Sequence, residues 1–360
     1  MAEKNPFEID FEEYIRHTDA SKKDKTLAWS TAIGLQQVDG LKPSSYLYET
    51  AKKNIEGELS FDEAKNLIDS YYESRTARTD EDDERTEEAD KVSSRIAQIL
   101  SEPSFNFSPS HLIAIHKRLF EGIFKFAGKI RDYDITKKEW ALNGDTVMYG
   151  AAFELKAALD YDFDIERNFK YSGLSNDEIV KHITFFVSRL WQIHAFGEGN
   201  TRTTAVFTIK YLRSLGYKVD NDIFAENSWY FRNALVRANY KNLKNGIEEK
   251  PMYLELFFRN LILGENNELK NRYIHIDYDK HENKFGDNKE SSEKKFGDNQ
   301  KTSEIILELL KDNPKLSAKK LSEKIGITSR AVEKQLATLV EKGLLKRVGS
   351  PKGGHWEVLD

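Results

Sequence analysis

Residues 194–205 (HAFGEGNTRTTA) place a histidine, a carboxylate, a glycine-rich turn and an arginine next to one another in the chain. Histidine titrates near neutral pH, so His194 suits a general base that removes a proton from a hydroxyl group. Glu198 offers the hard oxygen ligands that Mg²⁺ shares with substrate phosphates. Arg202 offers a planar fork of N–H donors that matches phosphate oxygens. These residue types favour chemistry on a metal-bound nucleotide polyphosphate.

Two helices are predicted to hold this motif. Residues 175–178 (SNDE) have the pattern of a capping box, and apolar residues follow at helical spacing as far as Ile193. A second apolar helix is predicted to begin at Arg202 and to stop at Gly216. Residues 197–200 then form a tight loop that leads into a helix N-terminus, where unpaired backbone amides and the helix dipole attract anions.

The small and polar residues of this loop suit contact with phosphates. Gly197 and Gly199 have no Cβ, so a phosphate can approach their backbone closely. Asn200 and the adjacent amides are expected to stabilise charge on a reacting phosphate, and Phe196 is expected to pin the loop to the core. Each residue alone also fits an ordinary turn or a packed helix end. The unbroken block is what favours a functional site.

The block resembles the signature of the Fic family, His-x-Phe-x-(Asp/Glu)-Gly-Asn-(Gly/Lys)-Arg-x-x-Arg. The resemblance implies a mainly α fold, with a Fic-type helical core and a β-hairpin flap. It also implies transfer of AMP from ATP to a hydroxyl side chain of a target protein or of the protein itself. His194 would be the base, Glu198 the Mg²⁺ ligand and Arg202 a phosphate clamp. The nucleotide contacts implied in the motif are those of Gly197, Gly199, Asn200, Thr201 and Arg202.

Two positions depart from the signature. Thr201 replaces a small or basic residue, and Ala205 replaces the second arginine, which leaves recognition of the γ-phosphate open to another cation or another nucleotide. Two alternatives therefore stand beside AMP transfer. One is transfer of a different phosphate-containing group, or removal of AMP. The other is a DNA-binding regulator whose Fic region senses a nucleotide without catalysis, although a sensor would need no base such as His194.

Two flanking segments extend the resemblance. Strand-like runs at residues 134–140 and 146–149 are separated by Ala-Leu-Asn-Gly, in which Asn-Gly is a hairpin signal. This segment, about 134–149, looks like the Fic flap, which aligns an extended target segment by strand addition; the alternative is an ordinary surface hairpin. Residues 230–239 are similar to the helix that closes the adenine pocket, which makes Asn239 and Tyr230 the candidate base contacts.

Residues 33–64 resemble the VbhA-like antitoxins, which bind and silence Fic domains by inserting a glutamate into the ATP site. The aligned position here is Asp39 before Gly40, and Glu56 before Gly57 is a second, shifted candidate. With the second arginine absent, the partner of an inhibitory carboxylate is not evident, and a buried carboxylate needs a partner. The alternative is that Asp39 only ends a helix. The acidic run at residues 79–90 is interpreted as a solvated loop or helix start and is given no function.

Composition favours a cytoplasmic protein without membrane contact. The chain has 360 residues, a net charge of −5 and no cysteine, which excludes disulfide and thiolate chemistry. No apolar run approaches the roughly 20 residues that cross a bilayer. Four parts are predicted: residues 1–75 (N-terminal helical, inhibitory), 76–263 (Fic domain), 264–300 (polar linker) and 301–360 (winged helix-turn-helix).

The C-terminal part has its own pattern. Residues 301–360 contain 12 Lys/Arg and 8 Asp/Glu, a net charge of +4 that leaves −9 for the remainder. Three predicted helices, at 303–311, 317–325 and 328–342, precede two alternating runs at 344–348 and 355–359, which is typical of an α/β winged helix-turn-helix. A protein-contact or dimerisation module is the alternative, and a homodimer is left open. The expected DNA contacts are Ser329, Arg330 and Lys334 in the recognition helix and Lys352 in the wing.

Overall fold

The chain forms two compact units, Met1–Asn283 and Lys284–Asp360. The structure is a computed structural model that describes unit 1 over residues 20–74, 81–219 and 222–278. In unit 2 it describes residues 306–307, 309–311, 313–314, 316–325, 332, 336, 339–340, 344–348 and 355–358.

Unit 1 is helical over most of its described length, as the sequence predicts. The described part of unit 1 also contains four short 3₁₀ turns, at Leu35–Asp39, Trp140–Leu142, Ala152–Glu154 and Leu243–Asn245. The α-helices are α1 Ala20–Gly34, α2 Ser45–Glu56, α3 Phe61–Ser74, α4 Glu81–Ser101, α5 Pro109–Phe120, α6 Leu155–Asn168, α7 Asn176–Ile193, α8 Asn200–Ser214, α9 Ile223–Ala238, α10 Met252–Leu263 and α11 Asn271–Ile274.

Side-chain caps set several of these boundaries. The capping box predicted for α7 is present: Ser175 Oγ accepts from the Glu178 amide, and the Glu178 carboxylate accepts from the Ser175 amide. Ser44 caps α2 in the same way by accepting from the Leu47 amide. Helix α8 begins at Asn200, two residues before the predicted start at Arg202, because Gly199 takes a left-handed conformation (φ 75°) that ends the loop there.

Helix α8 lies at the centre of unit 1. All of its residues from Asn200 to Leu212 are buried, so it is enclosed on every side and not only along one apolar face. It packs against α4, α5, α7 and the 3₁₀ turn Leu35–Asp39. The first residues after the motif loop are therefore held rigidly by their surroundings.

The N-terminal helices share this core. Trp29 of α1 is fully buried, and its indole N–H donates to Asn54 Oδ1 of α2 at 2.9 Å. Helix α1 approaches α9 so closely that a Cβ on Gly34 would lie 2.3 Å from the Ala225 carbonyl oxygen. Ser228 Oγ of α9 also donates to the Gly34 carbonyl at 2.7 Å. The segment that precedes the 3₁₀ turn Leu35–Asp39 is thus an integral part of the helical core.

The predicted flap turns where expected but is not built from paired strands. The chain reverses at Asn143 (φ 56°) and Gly144 (φ 87°), after the 3₁₀ turn Trp140–Leu142. The Glu139 amide donates to the Asp145 carbonyl at 2.9 Å, and beyond this pair the arms do not form a ladder over residues 134–149. The predicted strands are wrong: a 3₁₀ turn forms where the hairpin would begin its ladder, and the Lys137 amide donates to the Thr146 hydroxyl and not to a backbone carbonyl.

Unit 2 has the predicted hairpin. Strands β1 Leu345–Val348 and β2 His355–Val358 pair antiparallel, with Leu345 opposite Val358. Helix α12 (Ala318–Ile325) follows Ser317, whose hydroxyl accepts from the Lys320 amide as a cap. A small separate core forms from Ile306, Leu310, Leu316, Leu321, Val332, Leu336, Leu339 and Leu345.

Among the helices that the structure describes, none combines the length and apolar character needed to cross a membrane.

Candidate active site

His194 lies at the junction between α7 and the motif loop in a conformation that few residues adopt. Its φ of 50° and ψ of 55° are left-handed, which is unusual for a residue with a Cβ. The buried Arg131 guanidinium holds this turn, because Nε donates to the His194 carbonyl at 2.8 Å and Nη2 to the Gly150 carbonyl at 2.5 Å. The Arg131 amide donates to the Ala195 carbonyl at 2.9 Å. The strained position is therefore fixed from outside the motif.

The imidazole of His194 is oriented as a neutral base. Nδ1 lies 3.3 Å from the Trp191 carbonyl, which can only accept, so Nδ1 carries the proton and Nε2 the lone pair. Nε2 is buried and has no hydrogen-bond partner among the described residues. The Tyr149 ring packs against the imidazole, with 4.2 Å between the two ring centroids. Burial lowers the pKa of His194 well below its ordinary value, and the nearby Lys137 ammonium lowers it further.

The two loop glycines are required by aromatic packing. A Cβ on Gly197 would lie 2.6 Å from the Tyr133 hydroxyl, and one on Gly199 would lie 2.4 Å from the Phe120 ring. Protein atoms therefore fill the space beside these two Cα atoms, where a phosphate was expected to approach. Contact of a nucleotide with the loop amides stays a prediction.

Asn200 and Thr201 are used within the loop. The Asn200 side chain bonds to both backbone groups of Phe196, accepting from N at 3.0 Å and donating to O at 2.7 Å. Thr201 is buried and its hydroxyl accepts from Trp191 Nε1 at 3.0 Å. The Asn200 side chain therefore closes the loop, and stabilisation of a reacting phosphate by Asn200 and the adjacent amides stays a prediction.

His116 of α5 supports the loop from below. It stacks on Phe196 at 3.8 Å, and Nε2 lies 3.0 Å from the Glu198 carbonyl. Its Nδ1 accepts from the Gly128 amide at 2.9 Å, so Nε2 carries the proton in a neutral ring. Burial lowers the pKa of His116 to about 4. Phe196 is buried and pins the loop to the core, as predicted.

Arg202 is fully buried, and its guanidinium contacts side chains from the 3₁₀ turn Leu35–Asp39 and from α4. Nη1 donates to Gln36 Oε1 at 3.0 Å, and Nη2 donates to Glu88 Oε1 at 2.6 Å. Nε lies 2.9 Å from Asp39 Oδ2 as an ion pair, without the alignment of a hydrogen bond. The Phe120 ring lies 4.9 Å from the guanidinium carbon. Every polar edge of Arg202 thus faces a protein group.

Asp39 lies between two guanidinium groups. Besides Arg202, the Nη1 atom of Arg232 on α9 donates to Asp39 Oδ1 at 3.3 Å. Arg232 Nη2 binds both carboxylate oxygens of the buried Glu139, at 2.9 and 3.1 Å. Glu139 in turn accepts from the Tyr149 hydroxyl at 2.8 Å. These neighbours raise the pKa of Arg232 although its burial opposes the charge.

Glu198 is half-exposed and paired with a cation from the predicted flap. Nζ of Lys137 lies 2.9 Å from each of its carboxylate oxygens. The described residues contain no cluster of three or more metal-ligating side chains. A single carboxylate completed by substrate phosphates and water suits Mg²⁺, so Glu198 fits that ion once Lys137 is displaced.

Asp39, Glu198 and Arg202, but not His194, are among the residues that line a cavity of about 790 Å³. The 3₁₀ turn Leu35–Asp39, the predicted flap, the motif and α9 contribute to its wall. It is lined by Gln37, Val38, Asp39, Gly40, Leu41, Arg85, Glu88, Phe124, Lys137, Lys138, Glu198, Arg202, Trp229 and Arg232.

Three other predicted residues are placed elsewhere. Glu56 pairs with Lys22 at 2.8 Å, with about a third of each side chain exposed, and is not among the cavity-lining residues. Tyr230 is buried and donates to the Tyr253 carbonyl at 3.1 Å, so it faces the core and not an adenine pocket. Asn239 donates to the Ser188 and Leu235 carbonyls and closes the end of α9. The structure thus brings together Asp39, Glu198 and Arg202, but not Glu56 or Tyr230.

The predicted DNA contacts, Ser329, Arg330, Lys334 and Lys352, lie outside the described residues.

Sequence reasoning missed several residues of the site. Glu88 belongs to the acidic run that was given no function, and it faces Arg202 from a position 114 residues away. Arg232 lies within the segment proposed for the adenine pocket, but no local pattern distinguishes it from other helix arginines. Lys137 lies within the predicted flap and Arg131 just before it, and neither carries a signal of its own. The sequence contains one indirect indication of these residues: a buried carboxylate at Asp39 needs a positively charged partner.

Comparison with known proteins identifies the domains. Residues 106–212 match the Fic/DOC family model and residues 300–346 match a winged helix-turn-helix DNA-binding model. Protein adenylyltransferase VbhT of Bartonella schoenbuchensis is 30% identical over 119 residues, which are 33% of this chain and 24% of that protein. A probable protein adenylyltransferase Fic of Salmonella typhimurium is 26% identical over 119 residues, 33% of this chain and 56% of that protein.

A solved Fic family protein from Desulfovibrio desulfuricans G20 aligns with 98% of this chain and 91% of that one, at 11% identity and a TM-score of 0.42. The chain spans about a quarter to a half of the length of the first two curated relatives. The motif at residues 194–205 lies within the region that matches the Fic/DOC family model, and the region that matches the winged helix-turn-helix model follows it along the chain.

Proposed function

We propose that this protein transfers AMP from ATP to a hydroxyl side chain of a target protein, and to itself. The observation that carries the proposal is the imidazole of His194. It is neutral and buried, and its Nε2 lone pair has no partner within the described residues. A general base needs that state, and a structural histidine at a helix end does not. The relatives named protein adenylyltransferase support the same chemistry.

The reaction follows from the groups around the loop. The target hydroxyl attacks the α-phosphorus of ATP while Nε2 of His194 accepts its proton. The bond from the α-phosphorus to the bridging oxygen breaks, and pyrophosphate leaves. Loop amides at the start of α8 stabilise the added negative charge, and the Arg202 guanidinium clamps a phosphate of the same nucleotide. When bound, Mg²⁺ would neutralise phosphate charge at Glu198.

The flap segment is proposed to position the target. Residues 134–149 carry Lys137 into the cavity and leave Met148 largely exposed. The arms of this segment have few backbone pairs, so backbone groups remain for an extended target segment.

The resting site is proposed to be inhibited by the N-terminal part of the chain. Asp39 forms ion pairs with Arg202 and Arg232, while Gln36 and Glu88 take the remaining Arg202 donors. A phosphate would have to displace these groups to reach Arg202. The Asp39 carboxylate supports this reading because it lies in the cavity, whereas Glu56 does not.

The test uses the full chain with Mg²⁺ and ATP labelled at either the α- or the γ-phosphate. Asp39→Ala is included to relieve inhibition and His194→Ala to remove the base. His111→Ala is the histidine control, because His111 lies outside the motif and its ring packs against Phe105. We expect label on protein from α-labelled ATP only, lost in His194→Ala and kept in His111→Ala. Label from γ-labelled ATP alone would mean phosphorylation, and no label in any lane would exclude transfer.

We further propose that unit 2 binds DNA. The net charge of +4 over residues 301–360 and the winged helix-turn-helix match support it. Binding of duplex DNA that weakens with rising salt, and is lost in Arg330→Ala with Lys334→Ala, would agree with the proposal. Binding to no duplex at low salt would exclude it. A cytoplasmic location stays a prediction.

A further inference from the structure

The position of the missing second arginine cannot serve the nucleotide. Ala205 is fully buried within α8, and its methyl group carries no charge. The cavity nevertheless contains a second guanidinium, because Arg232 enters it from α9. This arginine stands 30 residues after Arg202 and on a different helix, so no motif in the sequence connects the two.

Arg232 and Arg202 together form a two-sided anion site. Each guanidinium approaches a different oxygen of the Asp39 carboxylate, at 3.3 Å for Arg232 Nη1 to Oδ1 and 2.9 Å for Arg202 Nε to Oδ2. Two arginines on separate helices that enclose one oxyanion are also suited to a phosphate, which offers more oxygens and more charge than a carboxylate. Asp39 therefore marks a place that a phosphate group can take.

The orientation of Arg232 does not depend on Asp39. Its Nη2 is held by both oxygens of Glu139, which is buried and is itself fixed by the Tyr149 hydroxyl. The Trp229 ring lies 5.7 Å from its guanidinium carbon. Its Nη1 donates both to Asp39 and, at 3.2 Å, to the Val38 carbonyl of the same 3₁₀ turn. If this turn moves away, Arg232 keeps Glu139 as a partner and presents Nη1 to the cavity. A side chain already held in its binding orientation loses little entropy when a ligand arrives.

We propose that Arg232 is the residue that selects a nucleoside triphosphate, by binding the γ-phosphate in the place now taken by Asp39. This inference rests on the proposed function. The reacting phosphate belongs beside His194 and Glu198. Glu198 pairs with Lys137, whereas the Asp39 position is held by the separate pair of Arg202 and Arg232. The more distal phosphate is therefore the one that reaches the paired guanidiniums.

The test compares the binding of ATP, ADP and AMP to the full chain by isothermal titration calorimetry. Asp39→Ala is the starting protein, and Arg232→Gln is added to it because glutamine keeps an N–H donor for Glu139 while removing the charge. We expect ATP to bind about tenfold more weakly or worse in the double variant, about 1.4 kcal/mol, with ADP less affected and AMP unchanged. Arg232→Lys should restore part of the preference for ATP over ADP.

The control is Arg189→Gln in the same Asp39→Ala protein, since Arg189 is 42% exposed and pairs with Asp162 away from the cavity. It should leave all three affinities unchanged. Equal weakening of ATP, ADP and AMP by Arg232→Gln would overturn the proposal and make Arg232 a structural support. An unchanged ratio of the affinities for ATP and ADP would also overturn the proposal. In that case ATP would still bind, and the proposed function would stand. Failure of Asp39→Ala to bind any nucleotide would refute both.

Discussion

Asp39→Asn is expected to activate the protein. Asparagine has nearly the size of aspartate and retains one acceptor oxygen, so the 3₁₀ turn Leu35–Asp39 should keep its packing. The substitution removes the negative charge that now faces Arg202 and Arg232. Both guanidiniums keep other partners, Glu88 for Arg202 and Glu139 for Arg232, so neither is left as an isolated buried charge.

The size of the effect follows from the contacts that are lost. The Asp39 side chain is 19% exposed and forms ion pairs with two arginines. Bonds to charged groups in such partly buried places contribute about 1.5–3 kcal/mol. If most of that energy holds the closed site, its loss should strengthen ATP binding by roughly 10- to 150-fold. The rate of self-modification at ATP concentrations below saturation should rise in proportion.

The assay measures two quantities on the same preparations: the dissociation constant of ATP and the initial rate of label transfer from α-labelled ATP. Glu56→Gln is the matched control, because it removes a carboxylate from the same N-terminal part of the chain. Glu56 forms only a partly exposed pair with Lys22, of a kind that contributes about 0–1 kcal/mol. Unchanged affinity and rate in a folded Asp39→Asn protein would refute the reasoning. An equal gain in Glu56→Gln would place the inhibitory contact elsewhere.

Three further outcomes are expected. The reaction rate should fall on the acid side only below pH 6.5, because the lowered pKa of His194 keeps its imidazole neutral and able to accept a proton above that pH. Lys137→Met should shift this fall in rate to higher pH, because the Lys137 ammonium helps to lower the pKa of His194. Lys137→Met should also lower the Mg²⁺ concentration for half-maximal rate by about fivefold, since Glu198 loses its competing partner, and no change would argue against metal binding there. Gly199→Ala should reduce the free energy of unfolding by about 2–4 kcal/mol in urea titrations, through a left-handed φ of 75° and a Cβ 2.4 Å from a ring. Gly173→Ala, at φ 86° with open space, should cost only about 1 kcal/mol, and equal losses would show that the ring is not the cause.

Local signals in the sequence predict local structure well here. The capping box before α7, the loop at residues 197–200 and the hairpin of β1 and β2 are all present, because each depends on neighbours within a few residues. The predicted flap strands are wrong because the structure of that segment depends on residues that are distant in the chain. An alternating pattern and Asn-Gly favour a hairpin, but the 3₁₀ turn Trp140–Leu142 and the bonds of Glu139 depend on distant partners.

The candidate site could be predicted only in part. The motif names His194, Glu198 and Arg202, yet the groups that determine their state come from far along the chain. Gln36 is 166 residues from Arg202, and Arg232 is 193 residues from Asp39. A single sequence carries no record of such pairings, since any surface arginine or glutamate has the same local pattern. The committed side chain of Asn200 was likewise hidden, because the motif does not state which atoms the loop itself uses.

Because α1 and α9 share one core, the proposed inhibition by the 3₁₀ turn should not depend on protein concentration. An inhibitor on a separate chain is lost when the complex is diluted, degraded or made in unequal amounts. Here the 3₁₀ turn Leu35–Asp39 is joined to a helix whose Trp29 is fully buried in the same core as the motif. Each site therefore carries one copy of the turn that is proposed to inhibit it, at every protein concentration. Activity per molecule should stay constant on dilution, and only a local movement of this turn, or cutting of the chain beside it, can change the ratio.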